Sequence, residues 1–345
     1  MIHRQVALLA AVVGFTIACA PPSPPRFEAR GPEVQLSLLA LGDWGRDPRG
    51  GITQAKQFRV AEVLAEQDRS APADAVLFLG DNFYPHGLVA DEVVSRVRLN
   101  LVMPYCHFIA LTERGDSALG ESCLEPQTRR HTVPLWAVLG NHDHSSGESV
   151  DLQRERVDDF VSNWRLVGVP VETVELPQGV SLVFYDSTPM LTPAGADALP
   201  LLTNALRESR GPWRILVAHH PLDGRDVDQG IERAIAAAGV RAQLLLAGHI
   251  HDLRASAPQA PLPAFQLVSG GGGGDESNHK TLPGELWKLA STGFARIDLV
   301  GRGDRARLRL RVFAVSAVSV PQVVAAWTLG PDGAISTETL GPAAE

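Results

Sequence analysis

Five short segments of this chain share one design: a strand-like run stops at a small residue, and side chains bearing oxygen or nitrogen donors follow. They are Gly42-Asp43-Trp44-Gly45, Gly80-Asp81-Asn82-Phe83-Tyr84, Gly140-Asn141-His142-Asp143-His144, Ala218-His219-His220-Pro221 and Gly248-His249-Ile250-His251. Apolar runs at 36–41, 75–79, 135–139 and 244–247 precede four of them, and the partly apolar run 214–217 precedes the fifth. Short apolar runs bounded by glycine and polar residues predict strands covered on both faces. Polar side chains just past such strands lie at the carboxyl edge of a sheet, where open α/β folds place their sites. Five repeats of the pattern constrain the chain to a layered α/β fold with one chemically loaded edge.

Helical spacing fills the intervals, over 54–66, 91–101, 150–164, 194–206 and 230–238, and further strand-like runs lie at 180–185 and 262–268. The alternation predicts an α/β sandwich. Residues 103–133 break it and read as a loop insertion near the mouth of the site. Past Thr292 the helices cease, and 294–300, 306–316 and 323–329 read as an antiparallel closing sheet. Within it Arg305, Arg307, Arg309 and Arg311 alternate with apolar residues, the pattern of a half-buried strand with a solvated basic face. The globular domain is expected over 34–330, with 331–345 as a tail.

With 345 residues the chain can bury a large core, as one sizeable domain or two modest ones. Its net charge of −8 argues against a nucleic-acid surface, which is normally basic. A phosphate-bearing substrate stays open, because bound cations reverse a local field. At the start, His3 and Arg4 precede an apolar run, 6–17, too short to span a bilayer. Thr16-Ile17-Ala18-Cys19 and the proline-rich residues after it resemble a bacterial lipoprotein signal. Residues 1–18 then form the signal, Cys19 the lipidated residue and 19–33 a tether. The implied location is the periplasm or outer membrane, touching membrane only through that anchor. An ordinary cleaved signal is the alternative. An exported compartment permits a disulfide between Cys106 and Cys123, two free thiols being the alternative.

The donors define a chemistry. Asp43 and Asp81 offer carboxylates, Asn141 an amide oxygen, and His219, His249 and His251 imidazoles. A mixed oxygen and nitrogen set without thiolate suits Fe, Mn or Zn and disfavours a cysteine-type structural zinc site. A shared carboxylate such as Asp81 can bridge two ions about 3.5–4 Å apart, the spacing that activates water and clamps an in-line phosphoryl displacement.

Taken in order, the five segments resemble the calcineurin-like metallophosphoesterases, and Tyr84, three residues after Asp81, makes them similar to purple acid phosphatases of the tartrate-resistant type. The resemblance spans roughly residues 36–300. It implies a four-layer αββα sandwich with two mixed β-sheets and a binuclear metal site at the strands' C-terminal edge. It places Asp43, Asp81, Tyr84 and His251 around Fe(III), and Asp81, Asn141, His219 and His249 around a divalent Fe, Zn or Mn. The implied activity is an acid phosphatase hydrolysing phosphomonoesters by attack of a metal-bound hydroxide, with His142 as the general acid or orienting group. His144, His220 and Asn82 are expected behind the ligands or against substrate. The expected substrate is a phosphorylated small molecule or phosphoprotein, and the expected state a monomer. A phosphodiesterase or nucleotidase of the same superfamily is the alternative, and a non-catalytic surface lipoprotein a third reading. The tartrate-resistant type usually carries another histidine after the His-x-Pro motif. Here 222–230 offers Asp223, Arg225, Asp226 and Asp228 instead, with Arg225 read as a solvated loop residue.

Trp44 reads as packing and Asp143 as a loop anchor, while His86, His107, His131 and His279 show no ligand spacing. Gly270 to Gly274 lack the Lys and Ser/Thr of a phosphate-binding loop and read as a flexible connection bordering the pocket.

Overall fold

A computed structural model of the protein describes residues 29–46, 51–192, 195, 197–274, 280–316 and 322–340. The expected signal, Cys19, most of the tether and His279 lie outside the described residues. Strand β1, Val34–Leu41, shows why the chain layers as it does. Leu39 and Leu41 point into one apolar cluster, Leu38 and Ala40 into another. A strand with period-two side chains that are apolar on both sides must be covered on both faces. Each fully buried leucine contributes about 1.5–3 kcal/mol.

The first sheet has the order β15 (Ile335–Thr337), β14 (Gln322–Leu329), β13 (Arg307–Ala314), β12 (Gly293–Val300), β1, β2 (Ala75–Phe78), β3 (Leu135–Ala137), β4 (Trp164–Leu166). The second runs β11 (Glu285–Leu289), β9 (Leu253–Ser256), β10 (Phe265–Ser269), β8 (Leu244–Ala247), β7 (Trp213–Val217), β6 (Val180–Tyr185), β5 (Val171–Leu176). Strands β1 to β4 pair in parallel, and β12 pairs antiparallel to β1. In the second sheet β6, β7, β8 and β10 are parallel and β5 and β9 antiparallel. Both sheets are therefore mixed. One cluster of apolar side chains lies between them, a second packs α1 (Ile52–Ser70) and neighbouring segments on the first sheet, and a third packs the helices Ala198–Glu208 and Asp226–Ala238 on the second. This is the four-layer αββα sandwich.

Several local expectations need correction. The helix expected over 150–164 ends at Glu155, and Trp164 to Leu166 form β4 instead. Three residues are too few to show a strand period, so the apolar spacing of the helix ran on through them. The arginine stripe of β13 is not uniformly solvated. Arg311 is buried and donates to Asp298 at 2.8 Å, which also binds Arg296 at 2.9 Å, while Arg309 pairs with Glu338 at 3.0 Å. Within the stretch expected as a tail, Ile335–Thr337 adds an edge strand.

Residues 103–133 are neither a plain loop nor at the site. They hold the helix Glu113–Leu119 and the Cys106–Cys123 disulfide, and they lead into the start of β3. The start of a parallel strand lies at the edge opposite its carboxyl end. There the segment grips the C-terminal end of α1: His107 and His131 each lie 2.9 Å from Asp68, and Arg69 pairs with Glu125 at 2.9 Å.

Candidate metal centre

The donor residues sit where the parallel strands end. Asp43 follows β1, Asp81 follows β2 and Asn141 follows β3, while His219 follows β7 and His249 and His251 follow β8. Four described non-glycine residues have positive φ, and three of them are Asp43 (60°), Asp81 (54°) and His249 (69°). Left-handed backbone costs about 1–3 kcal/mol at a non-glycine residue and gathers where surroundings force a functional side chain into place. Gly80 makes this turn possible, because a Cβ there would lie 2.6 Å from His219 Nδ1.

Two donor groups meet at Asp81. On one side Tyr84 Oη lies 2.9 Å from Asp43 Oδ1, 2.6 Å from Asp81 Oδ2 and 2.9 Å from His251 Nε2. On the other, Asn141 Oδ1 lies 3.1 Å from His219 Nε2 and 3.0 Å from His249 Nδ1, and His219 Nε2 stands 3.5 Å from Asp81 Oδ1. Asp43 and Asp81 are buried, and among the described residues the ion-pairing partners are histidines, His251 at 3.4 Å from Asp43 and His219 at 3.5 Å from Asp81.

These contacts fit metal ions better than they fit hydrogen bonds alone. One phenol hydrogen cannot serve two carboxylates. The Leu79 carbonyl, 2.9 Å from His219 Nδ1, accepts the hydrogen there, so Nε2 and Asn141 Oδ1 face each other as two acceptors. A proton or a cation between them relieves that opposition, and a cation shared by phenol, carboxylates and imidazole relieves the other. Asp43, Asp81 and His251 form one group with a donor atom each within 4.8 Å of the others; His219, His220 and His249 form a second.

Without a cation, the electrostatics divide the donors. Burial favours the neutral form of Asp43, but the His251 hydrogen bond and the charges of His219, His251 and Arg46 outweigh it and hold the carboxyl at about 2. Burial, reinforced by His219, keeps His249 neutral by pushing it down to about 4. His219 is pulled the other way, since Asp81 and Asp43 overcome the cost of its burial. Burial and then the two carboxylates keep the Tyr84 phenol protonated far above its ordinary range, against Arg46.

The remaining nominated residues fall into distinct places. The His142 backbone N–H donates to Asp81 Oδ1 (2.9 Å), and its Nδ1 lies 2.6 Å from the Pro85 carbonyl, so Nδ1 carries the hydrogen and Nε2 is left to exchange a proton. His144 Nε2 is held by Asp186 at 2.8 Å. His220 Nδ1 lies 2.9 Å from Ser187 Oγ, which also accepts the His220 backbone N–H at 3.0 Å. A serine hydrogen directed at Nδ1 puts the His220 ring hydrogen on Nε2, a tautomer that donates. Burial, then His219 and His249, keep that ring neutral. Asn82 reaches no open space. It bonds the Val138 carbonyl (2.8 Å), Gln153 (3.1 Å) and the Trp44 indole (3.1 Å), bracing the loop. Asp143 accepts from Gly140 N (2.9 Å) and Asn82 N (3.0 Å); burial, then Asp81, raise it to about 6. Arg225 pairs with Asp223 at 2.7 Å.

Three residues were not anticipated. Asp186, at the end of β6, orients His144, and Ser187 beside it orients His220; a strand followed by Asp-Ser was the available signal. Arg46, two residues past Trp44, lies over the Tyr84 ring with its Cζ 4.3 Å from the centroid. The glycine run is not a flexible connection. Gly270 to Gly274 are buried, and Gly272 N bonds the Gly42 carbonyl at 3.0 Å, so the run lies close against the Asp43 turn.

The family model for calcineurin-like phosphoesterase matches residues 36–253. Purple acid phosphatase 17 of Arabidopsis thaliana is 24% identical over 265 residues, covering 69% of this chain and 68% of that protein. Tartrate-resistant acid phosphatase type 5 of Sus scrofa is 28% identical over 126 residues, which are 36% of this chain and 31% of the relative. Among solved structures, GAP50, the anchor in the inner membrane complex of Plasmodium, superposes with a TM-score of 0.56 at 17% identity, covering 84% of this chain and 88% of that one.

Proposed function

From the premise that this chain belongs to the calcineurin-like phosphoesterase family, we propose that it is a binuclear metal-dependent acid phosphatase hydrolysing phosphomonoesters. The observation that carries the finer reading is the Tyr84 hydroxyl, within 2.9 Å of Asp43, Asp81 and His251. With its proton displaced by the metal, the Tyr84 phenolate and the two carboxylates would form a hard anionic set suited to a trivalent ion, whereas the imidazole-rich set suits a divalent one. Asp43, Asp81, Tyr84 and His251 would hold Fe(III), and Asp81, Asn141, His219 and His249 a divalent Fe, Zn or Mn. Bound there, the two ions supply water acidity and positive charge for the phosphoryl group.

The chain's own groups do the rest. His142, its Nδ1–H fixed by Pro85, would carry a second proton on Nε2 and give that one to the departing alkoxide. His144, anchored by Asp186, orients substrate at the rim, and His220 stands behind His219 and His249 as a neutral donor. The substrate is a phosphorylated small molecule or phosphoprotein, and the enzyme acts as a monomer. We also propose that it is exported and anchored through lipidated Cys19 in the periplasm or outer membrane; palmitate labelling that persists in Cys19→Ser would refute the anchor.

The test combines metal analysis, a visible spectrum and two model esters. Iron with a second ion, and a visible band lost in Tyr84→Phe, are expected. Hydrolysis of p-nitrophenyl phosphate should exceed that of the bis-ester and fall at least ~100-fold in His142→Ala and in Asp81→Ala. Unchanged hydrolysis in both variants would sink the assignment, and a colourless protein with two zinc or manganese ions would refute the ferric reading.

A further inference from the structure

Arg46 is placed as few arginines are. Its backbone is pinned on both sides: the N–H donates to the Trp44 carbonyl at 2.8 Å and to Gln57 Oε1 at 3.3 Å, and the carbonyl accepts from Asn100 Nδ2 at 2.5 Å. Asn100 is itself held by Arg96 at 2.7 Å. The side chain is 9% exposed and lies along the Tyr84 ring. Yet Nε and Nη2 are buried and have no hydrogen-bond partner among the described residues. Two other buried arginines also carry an unsatisfied nitrogen, Arg296 and Arg311, but both pair with Asp298. No carboxylate pairs with Arg46 among the described residues.

The glycine run explains how the side chain fits. A Cβ at Gly273 would lie 2.5 Å from Arg46 Cγ, and one at Gly274 would collide with Nη2. The same Cβ position lies 3.5 Å from His251 Nδ1, so guanidinium and imidazole both border Gly274. Two successive glycines thus shape a slot for a cation beside the donor cluster. A buried N–H without an acceptor is costly, and a guanidinium fork matches phosphate oxygens closely.

We propose that Arg46 is a phosphate-binding residue of this site, its guanidinium donating to an oxygen of the phosphoryl dianion that enters beside Tyr84 and His251. The ligand class rests on the phosphoesterase reading above; the geometry rests on Arg46 itself. A phosphate monoester brings peripheral anionic oxygens that a diester partly lacks, so this arginine favours monoesters. The competing role is packing, with Arg46 serving only as a cation stacked on the phenol.

Inorganic phosphate titrated into the full, metal-loaded protein separates the two. Arg46→Met keeps the apolar stem over Tyr84 and removes the charge, and Arg46→Lys keeps the charge without the fork. Phosphate affinity should fall ~10- to 100-fold in Arg46→Met, the span of a charge-assisted hydrogen bond, and recover in part in Arg46→Lys. The KM for p-nitrophenyl phosphate should rise more than kcat falls, with bound metal unchanged. Thermal stability should hold or improve, because unsatisfied donors have been removed. Arg233→Met, on an exposed helix surface, controls for the lost charge. Wild-type phosphate affinity in Arg46→Met would overturn the proposal. So would a loss that only tracks lost metal and lowered melting temperature, which assigns Arg46 to packing. A protein that hydrolyses no ester yet binds phosphate through Arg46 would refute the phosphatase reading and leave this inference standing.

Discussion

At the scale of single residues, histidine chemistry here is settled by which nitrogen is already occupied. Leu79 takes the hydrogen of His219 Nδ1, Pro85 that of His142 Nδ1, and Asp186 engages His144 Nε2. Burial works against charge on His144, but the Asp186 hydrogen bond and the charges of Asp186 and Asp143 outweigh it and raise its pKa above the ordinary 6.5. The stabilisation from this pair is therefore fully present below the unfolded value and lost as pH rises through the folded one. NMR titration of the metal-free protein should show His144 titrating above 6.5 and falling in Asp186→Asn, where only the charge of Asp143 still opposes burial; an unchanged titration would remove Asp186 from its role. The metal-capable side chains were legible because each follows a strand in a short polar string. Arg46 was not. An arginine in a run of Gly, Arg, Asp and Pro reads as solvated, and only the fold brings Gly273 and Gly274 onto it.

At the scale of elements, long strands with two apolar faces announced themselves, and β6 spans the 180–185 expected for it. Short ones did not, since β4 is three residues, too few to show a strand period. The glycine run was misjudged for a related reason: freedom in sequence says nothing of what will press on it. A Cβ at Gly272 would strike the Gly42 carbonyl and lie 2.8 Å from Trp44 Cβ, both in the turn that carries Asp43. Gly147 has nothing within 4 Å of its Cβ position. Gly272→Ala should cost about 1–3 kcal/mol in denaturant unfolding, as overpacking does, whereas Gly147→Ala should be near neutral. Equal effects would show that the Asp43 turn yields freely to the run.

At the scale of the whole molecule, the sheets separate the donor edge from the edge where the chain enters β1. β1 begins at Val34 on one edge and delivers Asp43 at the other, about 25 Å away at 3.3 Å per residue. The chain therefore enters β1 at the edge away from the donor cluster. The same geometry explains the misplaced insertion: residues 103–133 feed the start of β3, so their C-terminal end lies at the edge opposite the donors. Their disulfide closes a sequence separation of 17 residues, and Cys106 and Cys123 pack with Tyr105, Phe108 and Leu119 in the cluster beneath α1. A loop of that length is worth about 3 kcal/mol by chain entropy. Replacing both cysteines by alanine should lower unfolding free energy by roughly that amount. The rate on p-nitrophenyl phosphate, per folded molecule and below the unfolding transition, should not change, because the segment's ion pairs reach α1 and not a donor residue. A stable variant with a lowered kcat would mean that the two edges are coupled through α1 and β1, and the separation argued from strand direction would fall with it.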